Sequence, residues 1–196
     1  MFALLIFLQL MPHIKPAKFF SERGFGAHLV IGSDIGFMGN FRTKISRRAD
    51  IGINGILYTT PFFGIQGDIN FLIHEKEPDI PFNISIYPLL NLGFGENLIY
   101  FSLSGNIEID FPFMLEEENI EITPYFLIGV GGESVTFETG GPVKTTENFT
   151  SLEAHGSFGI FFVLTKKIVI PVEFHFSDEE KGPTGFSFSV GILFKI

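Results

Sequence analysis

The chain reads as an all-β protein, an antiparallel up-and-down barrel that crosses a membrane with eight strands. Three observations carry that reading. Runs of strict alternation recur from Phe25 to Ile196, and a period of two marks strands because successive Cβ atoms lie on opposite sides of the pleat. The two faces of these runs are unequal, one large and apolar, the other small or polar. The composition holds 26 Phe and 22 Gly in 196 residues and is 45% hydrophobic, yet only 18% charged with a net charge of -9. A water-soluble domain this apolar would cover its surface with Lys and Glu.

The clearest element is Ser151 to Phe176, two alternating runs joined by the tight polar turn Leu164-Thr165-Lys166-Lys167. In the first, Leu152, Phe158, Ile160 and Phe162 oppose Glu153, His155, Ser157 and Gly159. In the second, Ile168, Ile170, Val172, Phe174 and Phe176 oppose Val169, Glu173 and His175. A short turn between alternating runs predicts an antiparallel hairpin.

Taken in order, Phe25 to Phe37 is the first strand, followed by the basic loop GNFRTKISRR. Ala49 to Tyr58 and Phe63 to Ile73 follow, joined by Thr59-Thr60-Pro61. After the charged loop HEKEPDIPF comes Ile84 to Phe94, which alternates but contains Pro88. Ile99 to Ile109, Ile120 to Val130, the hairpin and Gly185 to Ile196 complete the set. That makes nine candidates, whereas a single-chain bacterial barrel closes with an even number. A central strand accommodates proline poorly, so Ile84 to Phe94 is set aside and eight remain. Ten strands, with an extra hairpin inside Glu133 to Asn148, is the alternative. With eight, the short turns TTP, EEEN and LTKK fall at one end. The longer connections 39–48, 74–97, 133–150 and SDEEKGPTG fall at the other, as short periplasmic turns and long external loops should.

Size decides which face is out. An eight-stranded barrel is filled by side chains or holds one small ligand. The Phe-rich face would overcrowd that interior, whereas the Gly, Ser, Asn and Thr face fits it. In hydrocarbon a closed barrel satisfies every strand hydrogen bond. The alternative, a soluble lipocalin-like binding barrel with the apolar face inward, would need the opposite arrangement. Residues 24–196 are thus the barrel domain. Residues 1–20 begin with MFALLIFLQL, an apolar run with the length of a signal-peptide h-region, too short to span as a helix; a short N-terminal helix is the other reading.

The polar face collects Asp50, Asp68, Glu108, Glu121, Glu153, His155, Glu173 and His175, with His28, Arg48 and Lys195 as possible counter-charges. Such a set makes either a locked network of paired buried charges or a narrow pore. No metal or other cofactor is expected, and the absence of cysteine excludes disulfides and thiolate ligands. The acidic balance excludes a nucleic-acid partner, which needs a basic footprint.

The stretches GFGAHLVIGSDIGF, ITPYFLIGVGG, HGSFGIFFVLTKKIVIPVEFHF and GFSFSVGILFKI resemble the small bacterial outer-membrane β-barrels of OmpA/OmpX-like, "porin family" type. The resemblance covers most of the chain after Phe25. It implies a Gram-negative outer membrane and a monomer that meets outer-membrane lipid and lipopolysaccharide and is inserted by the barrel-assembly machinery. It also implies a structural, adhesive or surface role carried by external loops. Such chains usually end in an aromatic residue; this one has Phe194 two positions before Ile196. His175-Phe176-Ser177 also looks like the His-x-Ser arrangement of outer-membrane lipid A deacylases, in which a His-activated Ser attacks an ester. That would make His175 and Ser177 the catalytic candidates, although that family's acid on the last strand has no counterpart after Glu180.

Overall fold

Alternation becomes pairing in a computed structural model that describes residues 23–32, 34–115, 120–139, 145–165, 167–179 and 185–196. The strands are β1 (Arg23–Ile31), β2 (Ile35–Ser46), β3 (Ala49–Tyr58), β4 (Phe62–His74), β5 (Asn83–Gly95), β6 (Leu98–Asp110), β7 (Phe113–Leu115), β8 (Ile120–Thr139), β9 (Thr145–Thr165), β10 (Ile168–Glu179) and β11 (Gly185–Lys195). Long strands adjacent in the chain pair antiparallel, and β1 pairs with β11 from Gly24↔Lys195 to Ile31↔Phe188, which closes the sheet. Ten strands make the ring. β7 is an eleventh, outside it: it follows β6 past Phe111-Pro112 and pairs with the first residues of β8, while β6 pairs with the rest.

Ten therefore replaces the expected eight, and the two additional strands have separate causes. The stretch Phe25 to Phe37 is not one strand but the facing halves of β1 and β2. Ile31 pairs with Ile35 across the turn, so odd-numbered residues face the same way on both sides and the alternation runs through without a change of phase. The supposed loop GNFRTKISRR is mostly β2, with Phe41 and Ile45 outward and Asn40 and Arg42 inward. The second is β5, which carries Pro88 between two neighbours. Pro88 pairs with Gly105 of β6, and the β4–β5 ladder skips from Asp68↔Leu89 to Phe71↔Ile86 and resumes in the same register. Closure overrides the proline penalty, because in a ring there is no edge to move it to.

The region Glu133 to Asn148 adds no strands to the ring; it prolongs β8 and β9, which pair from Glu121↔Val163 out to Thr139↔Thr145. The additional strands also change which end each connection occupies. The turn at 59–61 opens on the rim that carries the β8–β9 tip (the hairpin rim). The connections after β7 and β9 open on the opposite rim, beside Arg23 and Lys195 (the Arg23 rim). The short turns therefore do not share one end. The reading of residues 1–20 lies outside the described residues.

The faces sort as expected. Phe37, Ile53, Leu57, Leu103, Phe126, Ile128 and Phe186 each expose more than half of their surface to the outside. Between the rims no described outward position is charged. The soluble, apolar-inside arrangement is excluded, because this exterior is a continuous apolar belt that water would not tolerate. A closed antiparallel barrel with a polar interior and an apolar exterior is the strand-built way to cross a lipid bilayer, so the chain is built to span a membrane with its strands.

Candidate functional site in the lumen

Inward positions on the strands of the ring bring together residues that lie far apart in the chain. β2, β3 and β4 place Arg42, Gly52 and Asp68 in one row, with Asp50 beside it. Arg42 forms ion pairs with both Asp50 and Asp68, and all three side chains are buried. The row fits only because residue 52 has no side chain: a Cβ there would collide with the Arg42 guanidinium and lie 2.6 Å from Asp68 Oδ2. Tyr87 of β5 lies within electrostatic reach of Glu108, Glu173, Asp68 and Arg42.

Across the lumen, β10 aims Glu173, His175 and Ser177 inward. His175 Nε2 pairs with Glu173, and the Tyr125 hydroxyl of β8 lies beside the same carboxylate. β6 and β9 supply a second network. Asn106 Oδ1 accepts from His155 Nε2 at 2.6 Å, and Asn106 Nδ2 donates to the Tyr87 carbonyl at 3.1 Å and to Ser104 Oγ at 3.2 Å. The other ring nitrogen of His155 lies 3.3 Å from Glu153. Asn83 Nδ2 donates to Asp110 at 2.5 Å, Asn91 Nδ2 to Ser102 Oγ at 2.9 Å and Ser151 Oγ to Glu133 at 2.5 Å. Asn54 donates to Gln66. Polar groups taken out of water must be matched in this way.

Apolar side chains share the lumen with these polar groups toward both rims. Toward the hairpin rim, Val30, Met38, Ile56, Phe62, Leu98, Tyr100 and Val135 all point inward and are buried. Toward the Arg23 rim, Tyr125, Phe161, Val169 and Leu193 do the same, and the rings of Tyr125 and Phe161 stack 4.7 Å apart.

Of the residues expected in the lumen, Asp50, Asp68, Glu108, Glu153, His155, Glu173 and His175 are buried inside it. Glu121 is half-buried at the Arg23 rim, where Thr123 Oγ1 donates to it at 3.2 Å. His28 is buried against the backbone of Gly191. Arg48, one of the supposed counter-charges, instead lies exposed in the β2–β3 turn; the lumen cation is Arg42, hidden in sequence within a stretch that reads as a basic loop. Glu133 was likewise hidden within a supposed connection. The inward tyrosines and apolar side chains interrupt the small-polar pattern, so periodicity alone assigns them no role. His175 and Ser177 both face the lumen and are buried, on the side of the wall away from lipid. Among the described residues, no group of three or more His, Asp or Glu side chains is arranged to hold a metal ion.

No protein-family model and no curated protein matches this sequence. Among solved structures, the outer-membrane protease OmpT from Escherichia coli is similar with a TM-score of 0.52 and 10% identity, over 89% of this chain and 93% of that one. The N-terminal β-barrel domain of Pseudomonas aeruginosa OprF aligns with a TM-score of 0.44 and 13% identity over 88% and 95%, and the KdgM porin with 0.45 and 6% over 88% and 99%. At such identities the likeness extends to architecture alone: the chain has the fold of the outer-membrane β-barrels.

Proposed function

We propose that this is a non-conducting outer-membrane barrel that works at the cell surface through its β8–β9 hairpin. One observation carries the reading: buried apolar side chains fill the lumen toward both rims, and the cation inside it, Arg42, is tied to Asp50 and Asp68. A pore needs a wetted path lined by groups that bind ions weakly, and here Arg42 is held by Asp50 and Asp68, His175 by Glu173, and His155 by Asn106 and Glu153. What remains for a partner is the outside. β8 and β9 are 20 and 21 residues long, against about 9–11 needed to cross a bilayer as a strand. β9 continues for eight residues, Thr145 to Leu152, beyond Glu153, the last of its residues registered against β10 among the described residues. The finer roles open to such a hairpin are adhesion, surface shielding or envelope integrity.

Planar-bilayer recording of the refolded protein tests the closed lumen. The expected record is a flat baseline at voltages that open narrow pores; stepwise unitary currents from the unmodified protein would overturn the proposal.

A further inference from the structure

The bases of this chain are placed unevenly. Of the lysines and arginines whose side chains are described, Arg42 is locked in the lumen and Lys76 sits in the β4–β5 connection. The other six, Arg23, Lys44, Arg47, Arg48, Lys167 and Lys195, lie on the Arg23 rim over one continuous sector, β10–β11–β1–β2–β3. The backbone holds them side by side. Lys195 N donates to the Lys167 carbonyl at 2.8 Å, Ile196 N donates to the Arg23 carbonyl at 2.9 Å, Arg23 is registered against Thr43, and Leu72 N donates to the Arg48 carbonyl at 2.8 Å. Adjacent strands lie about 4.8 Å apart, so the sector is an arc of roughly 20 Å. The rest of the same rim carries Glu75, Glu77 and Asp79 in the β4–β5 connection and Glu121 on β8. At the hairpin rim the described charged side chains are Asp34, Glu96, Glu138 and Glu147, all acidic.

The height of the arc is fixed by the belt beneath it. Phe25 and Phe194 stack 5.5 Å apart at the seam, and Phe25, Phe41, Ile45 and Ile51 are all turned outward and exposed. Arg23 lies two residues beyond Phe25 on the same face, Arg47 and Arg48 lie beyond Ile45 in the β2–β3 turn, and Lys44, one residue before Ile45, is exposed near the end of β2 in register with Asp50. Bases held one or two residues past the apolar boundary stand where headgroup phosphates lie. Arg23, Lys44, Arg47 and Arg48 are exposed, and among the described residues none of the four forms an ion pair with a carboxylate.

We infer that this crescent is a lipid-binding surface for phosphate-bearing anionic headgroups of the leaflet at the Arg23 rim. Clustered bases at an interface attract anionic lipid, and the attraction decays within a Debye length. Guanidinium groups add bidentate recognition of phosphate oxygens. On a protein of net charge -9, so local a basic surface makes anionic lipid gather on one side of the barrel rather than around it.

The test is lipid selectivity of the refolded full chain in phosphatidylcholine bilayers doped with a minority of phosphatidylglycerol, read by electron paramagnetic resonance of each lipid carrying a spin label. The unmodified protein is expected to retain phosphatidylglycerol several-fold over phosphatidylcholine. The variant R23Q/K44Q/R47Q/R48Q is expected to fall to near equality, and K76Q, outside the arc, to keep the full selectivity. Because the fourfold variant could fail to insert, the unmodified protein gives an independent arm: its selectivity should collapse at about 0.5 M NaCl, where screening lengths are only a few ångström. Absence of selectivity in the unmodified protein overturns the inference, as does selectivity that survives both the substitutions and the salt. Salt-sensitive cross-linking between barrels that excludes phosphatidylglycerol from the annulus also overturns it, since a second copy would then occupy the crescent.

Discussion

Arg42 is a single buried cation held between two carboxylates, and its value lies in what its loss would leave behind. Removing one partner of a buried ion pair strands the other, at a cost of about 3–5 kcal/mol, whereas replacing the whole set by apolar or neutral groups is often nearly neutral. Arg42→Ala is therefore expected to lower the temperature at which the folded, fast-migrating form in unboiled SDS gels converts to the unfolded one. The combined R42M/D50N/D68N variant should recover most of that loss. Equal stability of Arg42→Ala and the unmodified protein would mean that Asp50 and Asp68 find other partners. Asp34 makes the opposite case, a carboxyl on the rim whose bonds are local. Burial is the largest single influence and pushes it up, but hydrogen bonds from the hydroxyls of Thr59 and Thr60 and from the backbone of Thr60 and Ile35 together outweigh that and hold it at about 2. A carboxyl held below its ordinary value of about 4 stabilises the folded turn above that pH. The contribution is lost as pH falls through about 2. Carbon-13 NMR of the Asp34 carboxyl in micelles should give a midpoint near 2; a midpoint at the ordinary value would mean that the Thr59-Thr60 turn does not grip it.

Elements show why part of this architecture is legible in the chain and part is not. The β9–β10 hairpin and β11 can be read directly, because Phe158, Phe174, Phe186 and their neighbours alternate against small residues and the intervening turn is polar. β1 and β2 cannot be separated that way: their turn preserves parity, so Phe25 to Phe37 imitates one long strand. Arg42 is lost with β2, since Asn40-Phe41-Arg42-Thr43-Lys44 looks like a loop when its basic residues are read and its alternation is not. Pro88 conceals β5, because a local propensity argues against a strand that only the closed ring requires. The same omissions scramble the two ends, so orientation has to come from strand length instead. β8 and β9 exceed the membrane requirement only at the hairpin rim, and the longer extracellular side of such barrels is where an extension belongs. An epitope inserted after Thr136 is therefore expected to be labelled on intact cells, and one inserted between Arg47 and Arg48 only after permeabilisation. The reverse pattern would invert the barrel.

On the scale of the whole molecule, stability depends on one seam that local structure cannot provide. Every other neighbouring pair in the ring is joined by a short connection, but β1 and β11 meet only after all the intervening strands have formed. The loop-closure entropy of that contact is the largest in the chain. Eight registered pairs hold it, from Gly24↔Lys195 to Ile31↔Phe188, and it closes tightly around Gly26. A Cβ at Gly26 would lie 2.6 Å from the Ile192 carbonyl and 2.9 Å from Asn40 Oδ1, and would collide with the Leu193 side chain. The first of these neighbours is backbone of the opposing strand and cannot swing away. Gly39 provides the matched control, one strand over and turned outward, with nothing within 4 Å of its would-be Cβ. Gly26→Val should strain the seam by about 1–3 kcal/mol, the usual cost of overpacking a well-filled site. Gly39→Ala should be neutral or slightly stabilising, since glycine weakens a strand by its entropy. Both variants can be scored by the temperature at which the unboiled SDS gel form converts to the boiled one. If the seam limits the barrel, Gly26→Val converts well below the unmodified protein and Gly39→Ala does not. Equal conversion temperatures for the two would mean that the ring melts first at another pair of strands, with the β1–β11 contact to spare.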